Sequence, residues 1–298
     1  MIGSSDGNED RSYCSRCGRR WETGQSRCAG CGYVSAGPSA APEIWAIDVE
    51  VTAEDLSGES PSAGRVVRRK GGVTWGVWQI IAGIILVMLS LFTAAAAALA
   101  IASLYPEQED AVATWISVHL MALSIVATVW FLGLRHTRYP LAVLWLSRVR
   151  WPRRRTVLLM MGVLATSLIA TSLYAGIVEW LGLDRLSTPV VESDIFFDGP
   201  AVVLTFQALA FITPMSEEIF FRGFVFRGLL PRLGPWGAIV ASALIFSGFH
   251  LSVGVLIPIF ITGFLFAWLY WRTGSLWAAI GAHAGQNALA LGVQALSG

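Results

Sequence analysis

Long uncharged apolar runs recur from residue 73 onward, at about Val73 to Leu104, Ala111 to Leu134, Thr156 to Leu183, Ala201 to Leu230, Trp236 to His250, Val253 to Trp271 and Ser275 to Leu296. A helix needs about 20 apolar residues to cross a hydrocarbon core ~30 Å thick. The pattern therefore predicts an all-α, polytopic membrane bundle of about seven segments. The first run follows about seventy polar residues, too late and too long for a cleaved signal peptide, and reads as a transmembrane helix serving as its own insertion signal. Thr213-Pro214 interrupts the fourth run, because proline lacks an amide proton and disfavours helix in the residue before it; a new helical segment is expected to begin there.

Charge placement orients the bundle. Arg65, Arg68, Arg69 and Lys70 precede the first run, and Arg135, Arg138, Arg148, Arg150, Arg153, Arg154 and Arg155 crowd the connection after the second. The alternate connections carry Glu107, Glu109 and Asp110, then Asp184, Glu192, Asp194 and Asp198. The positive-inside rule places the N-terminus in the cytoplasm of a multi-pass cell-membrane protein, and an odd number of spans leaves the C-terminus outside. Leu141, Leu144, Trp145 and Val149 recur at near-helical spacing among the arginines, which suits a helix lying in the cytoplasmic interface. Composition agrees, with 55% hydrophobic residues, 14% charged and a mean hydropathy of +0.61, well outside the range of an ordinary soluble domain. A net charge of +1 gives no reason to expect specific nucleic-acid binding.

The N-terminal segment differs in kind. Cys14-x-x-Cys17-Gly and Cys28-x-x-Cys31-Gly contain all four cysteines of the chain. Two such knuckles offer a closed tetrahedral thiolate site, so residues 1–34 resemble a zinc ribbon holding one structural zinc, with no open position for a substrate. Two disulfides or a redox pair are the competing reading, which a reducing cytoplasm disfavours. Arginines around Tyr13 and Trp21 suit a surface beside anionic lipid headgroups. Residues 35–72, rich in Ser, Ala, Gly, Pro and acids, read as a flexible tether with room for one short strand at 43–51. Residues 73–155 would then supply two membrane helices and the interfacial helix, and 156–298 the core.

Three groups of ionisable residues lie inside the apolar runs, where such side chains are costly. They are Glu217-Glu218-x-x-x-Arg222, Phe246-x-x-x-His250 and His283-x-x-x-Asn287. Glu218 and Arg222 form an i,i+4 ion pair, whereas Glu217 points about 100° around the helix without a partner in its own segment. His250 ends a run of roughly 22 Å, short of a full crossing, so the turn after it falls within the membrane and His250 is expected to face a cavity. His283 and Asn287 share a helix face, and both would also serve as hydrogen-bonding glue between helices. Counted from the cytoplasmic ends, Glu217, His250 and His283 each lie roughly 10 to 20 Å deep, so their polar atoms are expected within about 8 Å of one another.

Such a set suits amide hydrolysis. Glu217 would take a proton from water and pass it to the leaving amine, His250 would orient that water, and His283 with Asn287 would donate to the oxyanion. Glu217, His250 and His283 could instead ligate a catalytic zinc, leaving Glu218 as base. Residue types leave both open.

In order and placement, the three motifs resemble those of the CPBP family of intramembrane proteases, which includes type II CAAX prenyl endopeptidases and bacteriocin-immunity relatives. The resemblance covers about residues 156 to 296. It implies a helical bundle with a cavity opening to the cytoplasm, Glu217, His250, His283 and Asn287 as the catalytic set, and Glu218 with Arg222 in support. It also implies a membrane-associated peptide or protein as substrate, without implying that the substrate is prenylated, and it leaves metal-dependent and glutamate-only mechanisms both open. The rival class is a non-catalytic immunity or scaffold protein, or a transporter; no evident inverted repeat supports transport.

Overall fold

The computed structural model describes residues 12–13, 20–21, 73–137, 139–146, 152–188 and 193–297, and the chain divides into two units, Met1–Gly72 and Val73–Gly298. In the first unit the described residues are two short strands, β1 (Ser12–Tyr13) and β2 (Arg20–Trp21), paired antiparallel with Ser12 opposite Trp21. Cys14, Cys17, Cys28 and Cys31, the tether and the strand expected at 43–51 all lie outside the described residues.

The second unit is helical. Its described helices are α1 (Val77–Ala102), α2 (Glu109–Val129), α3 (Pro140–Val143), α4 (Arg153–Trp180), α5 (Val202–Phe206), α6 (Thr213–Glu218), α7 (Arg227–Gly248), α8 (Val253–Thr273) and α9 (Leu276–Ser297). Two π-helical stretches, Gln207–Ile212 and Ile219–Phe226, join α5, α6 and α7 into one helical path. A third, Trp130–Leu134, extends α2.

Among the described residues, five stretches are long and apolar enough to cross a membrane: Val77–Ala102, Glu109–Leu134, Arg153–Trp180, Gly199–Gly248 and Val253–Thr273. The chain is a multi-pass membrane protein. The 50-residue stretch is not one rod. Gly234 takes φ 66° and ψ 178° between Pro231 and Pro235 and breaks α7 there, separating the two segments expected at 201–230 and 236–250. Helix α9 is not among the five, because His283, Gln286, Asn287 and Gln294 dilute its apolar character. The expected seven segments are thus five apolar stretches, one of them broken in two, and a more polar final helix.

Outward faces are greasy. Leu123, Leu158, Ile169 and Leu173 are each more than half exposed in mid-helix, a surface that water would penalise and lipid tails do not. Since lipid is as apolar as leucine, burial alone gives helices little reason to associate in a membrane, and close packing with interhelical hydrogen bonds must do so. Helices α1 and α2 pair as a hairpin, α7 lies against α8, and α4 packs on α8 and α9. Where α7 begins, a Cβ added at Gly228 would stand 2.7 Å from Trp75 Nε1, so only glycine allows that approach. The same indole nitrogen donates to Phe224 O at 2.9 Å, covering a carbonyl of the π-helical stretch.

One expectation is corrected. The chain does not start a new helix at Thr213-Pro214. Ile212 and Thr213 keep right-handed helical angles, and the wide turn of Gln207–Ile212 carries the path across the proline, with Thr213 N–H bonding back to Ala208 O. Glu217 and Glu218 therefore sit in mid-path, where no helix N-terminus compensates their charge. Of the expected interfacial helix only α3 and the residues to Leu146 are described; Val143, Leu144 and Trp145 are buried against protein, while Leu141 is exposed. Core groups donate to four consecutive carbonyls there: Arg227 Nε to Val143 O, Tyr270 Oη to Leu144 O, the Leu276 amide to Trp145 O and Trp277 Nε1 to Leu146 O. A segment whose backbone is consumed in this way is docked on the bundle.

Candidate active site

Helix α6 carries Glu217 and Glu218 between two π-helical stretches. Such stretches re-aim side chains relative to a regular helix and are frequent at functional sites. Pro214 has no N–H, and Thr213 N–H is already committed to Ala208 O, so the carbonyl of Leu209 loses its backbone partner. Asn287 Nδ2 donates to that carbonyl at 2.9 Å. Asn287 thus repairs the helical path just before the two glutamates.

A buried polar chain runs through the middle of the bundle. Arg222 Nη1 lies 2.9 Å from Glu218 Oε1, with both side chains essentially inaccessible. His283 Nδ1 lies 2.9 Å from the same oxygen, and His283 Nε2 lies 3.7 Å from Glu217 Oε2. Arg222 Nη2 donates to Gly263 O at 3.0 Å, and the guanidinium carbon lies 4.6 Å from the centre of the Phe246 ring. Because the Glu218 carboxylate only accepts, Nδ1 of His283 carries a proton and Nε2 is the ring nitrogen presented to Glu217. The ring is held in place by Phe246, edge-on at 5.9 Å, and Phe266 at 5.3 Å.

Exposure separates the members of this chain. Glu218 and Arg222 are sealed, His283 is nearly so, and Glu217 keeps 22% of its side chain accessible. Glu217 is therefore the carboxylate that solvent or a substrate can reach. Glu218 Oε2 is buried with no hydrogen-bond partner among the described residues, so the second carboxylate is tied through one oxygen only.

Each expected residue has a definite place. Glu217, Glu218, Arg222 and His283 form the connected chain, and the pairing of Glu218 extends past Arg222 to His283. Asn287 is bound to a backbone carbonyl next door. His250 stands apart, with an exposed side chain whose Nδ1 lies 3.1 Å from Phe246 O one turn earlier in its own helix. It reaches the group only through the Phe246 ring, edge-on at 5.1 Å. No group of three His, Cys, Asp or Glu side chains among the described residues is placed to hold a metal ion, so the ligand set Glu217, His250 and His283 does not assemble. Sequence reasoning missed Phe246 as the aromatic wall, the Gly263 carbonyl that orients Arg222, and the hydroxyls of Ser167 and Thr262 nearby. Phe246 stood in the sequence only as the start of its motif, and the hydroxyls as isolated polar residues in apolar runs.

Residues 199–289 match the family "Type II CAAX prenyl endopeptidase Rce1-like". That stretch contains every member of the buried polar chain. The chain is also 34% identical over 87 residues to "Putative membrane peptidase YdiL" of Bacillus subtilis (strain 168). This likeness covers 29% of the present chain and 36% of that relative, little more than a third of its length. No solved structure matches the chain.

Proposed function

We propose that the protein is an intramembrane endopeptidase that hydrolyses a peptide bond of a membrane-associated protein or peptide, with Glu217 as the general base. The observation that carries this reading is the Glu217–His283–Glu218–Arg222 chain, in which one carboxylate alone is accessible. The match of this stretch to a CAAX endopeptidase family and the likeness to a protein named as a membrane peptidase support the reaction class.

At 3.7 Å, Glu217 and His283 are too far apart for a direct hydrogen bond but suitably spaced to act on one water. The water oxygen attacks the peptide carbonyl carbon and its proton passes to Glu217. The oxyanion then accepts from the second amide N–H of Asn287, while the unprotonated Nε2 of His283 accepts from the other O–H of the attacking water and orients it. Glu217 returns its proton to the amide nitrogen as the C–N bond breaks. Glu218, held by Arg222, keeps His283 in the orientation that presents Nε2; it is a positioning residue rather than the base. His250, exposed one turn after the buried Phe246, would meet the substrate rather than the water.

We also read Cys14, Cys17, Cys28 and Cys31 as ligands of one structural zinc on a cytoplasmic N-terminus. The four thiols suit that metal by number and softness. A fixed role as helix glue is favoured for one amide proton of Asn287 by its bond to Leu209 O, and an entirely structural reading would extend this role to the whole polar chain.

Glu217→Gln separates the two readings. It keeps the shape of a half-buried side chain and removes the base, so cleavage of a membrane-associated reporter library should fall by roughly a hundredfold or more while expression and melting temperature persist. Undiminished cleavage by this variant would end the assignment of Glu217. A folded wild-type protein that cleaves nothing across the library would favour the scaffold or immunity reading.

A further inference from the structure

Helix α4 lies outside the stretch that matches the protease family, yet it reaches the site through a closed ring of three side chains, two buried and the third, Gln286, partly so. Ser167 Oγ donates to Gln286 Oε1 at 2.7 Å and lies 2.9 Å from Thr262 Oγ1, while Gln286 Nε2 lies 3.5 Å from Thr262 Oγ1. Ser167 has one hydroxyl proton and spends it on Gln286, so Thr262 must donate to Ser167, and Gln286 in turn donates to Thr262. Each side chain gives one hydrogen bond within the ring and receives one. Ser167 is completely inaccessible and Thr262 nearly so, in a region where water offers no substitute partner.

The ring holds two helices that shape the site. Gln286 stands three residues after His283, almost one turn along α9, so fixing Gln286 fixes the rotation that aims the imidazole. Thr262 directly precedes Gly263, whose carbonyl accepts from Arg222 Nη2. Close approach assists: a Cβ added at Gly281 or Gly285 would meet Met160 Sδ at 2.8 Å or Leu164 Cδ2 at 3.1 Å, so α4 sits hard against α9. A rotation of α9 would move His283 Nε2 relative to Glu217, and their 3.7 Å separation leaves little tolerance for sharing one water.

We propose that the Ser167–Thr262–Gln286 ring is a positioning device for the His283–Glu217 pair, acting from α4 on the catalytic geometry. The proposal rests on the hydrolytic reading of the site. Its members touch neither substrate nor reacting atoms, so its signature is a fall in kcat at constant KM.

The test uses the full-length protein in detergent or nanodiscs. Thr262→Val keeps the shape and removes the hydroxyl, and should lower kcat about tenfold with KM unchanged; Thr262→Ser restores the hydroxyl and should recover most of the rate. A triple variant, Ser167→Ala with Thr262→Val and Gln286→Met, removes all partners together and leaves no orphaned polar atom, so it should fold with near-native stability. A slow triple variant with a native melting temperature is the expected result. Native kcat in that folded variant would overturn the proposal, as would a Thr262→Val defect that Thr262→Ser fails to repair. If wild-type protein cleaves no reporter, the hydrolytic reading fails by itself. The ring is then read by 15N-histidine NMR, where the His283 resonance, assigned by its loss in His283→Gln, should shift in the triple variant and not in Thr262→Ser; an unmoved resonance would overturn the ring's role.

Discussion

Glu218→Gln is the sharpest test of how the two adjacent glutamates divide their labour. The carboxylate lies 2.9 Å from Arg222 Nη1 and 2.9 Å from His283 Nδ1, and both charged side chains are sealed from solvent. At an effective dielectric of about 20, a charge pair at this distance attracts with about 6 kcal/mol, most of which offsets the cost of burying the two ions. Glutamine preserves an acceptor for His283 Nδ1 but removes the charge that faces Arg222, leaving a guanidinium whose remaining described neighbours are Gly263 O and the Phe246 and Phe266 rings. Breaking a buried pair from one side costs about 3–5 kcal/mol, and the retained acceptor argues for the lower end, about 3 kcal/mol. That corresponds to a factor of about 150 in the folding equilibrium. Reversible unfolding in mixed micelles should report this loss directly, whereas Glu217→Gln, half-exposed and without a close ion pair, should lose less than about 1 kcal/mol. A Glu218→Gln protein as stable as wild type would refute the claim that this carboxylate neutralises Arg222. Abolished cleavage in a protein of native stability would show instead that Glu218 takes part in the chemistry.

Further outcomes follow from single contacts. Asn287→Ala should cost about 1–3 kcal/mol by orphaning Leu209 O, and the cost should shrink in a Pro214→Ala background, where a restored N–H can serve that carbonyl; equal costs in both backgrounds would contradict the repair role, by double-mutant cycle. Gly228→Ala should destabilise by about 1–3 kcal/mol because its Cβ meets Trp75, measured by the same unfolding assay, and a neutral result would mean that the Trp75 end of α1 yields easily. Purified full-length protein should carry about one zinc per chain, lost in a Cys14→Ser/Cys17→Ser variant; disulfides among the four cysteines would overturn both the zinc and the cytoplasmic placement.

The membrane setting was legible in the chain itself, because a bilayer imposes one length and one polarity on every segment that crosses it. So was the division between the runs ending near Leu230 and beginning near Trp236, which the structure makes at Gly234 between two prolines. The candidates Glu217, Glu218, Arg222 and His283 stood out because ionisable groups are rare in apolar runs, and the i,i+4 spacing already joined Glu218 to Arg222. Tertiary structure decided the rest. Whether Pro214 ends a helix depended on a π-helical detour and on an asparagine 73 residues later in the chain filling the vacated acceptor, neither of which has a local signature. That His283 bridges the two glutamates, that His250 remains outside their chain, and that Ser167 reaches Gln286 are facts of helix rotation and depth. Hydropathy records how far a segment reaches across the membrane and not which way its polar residues turn, since helices in lipid are set by close packing and by satisfied hydrogen bonds between segments distant in sequence.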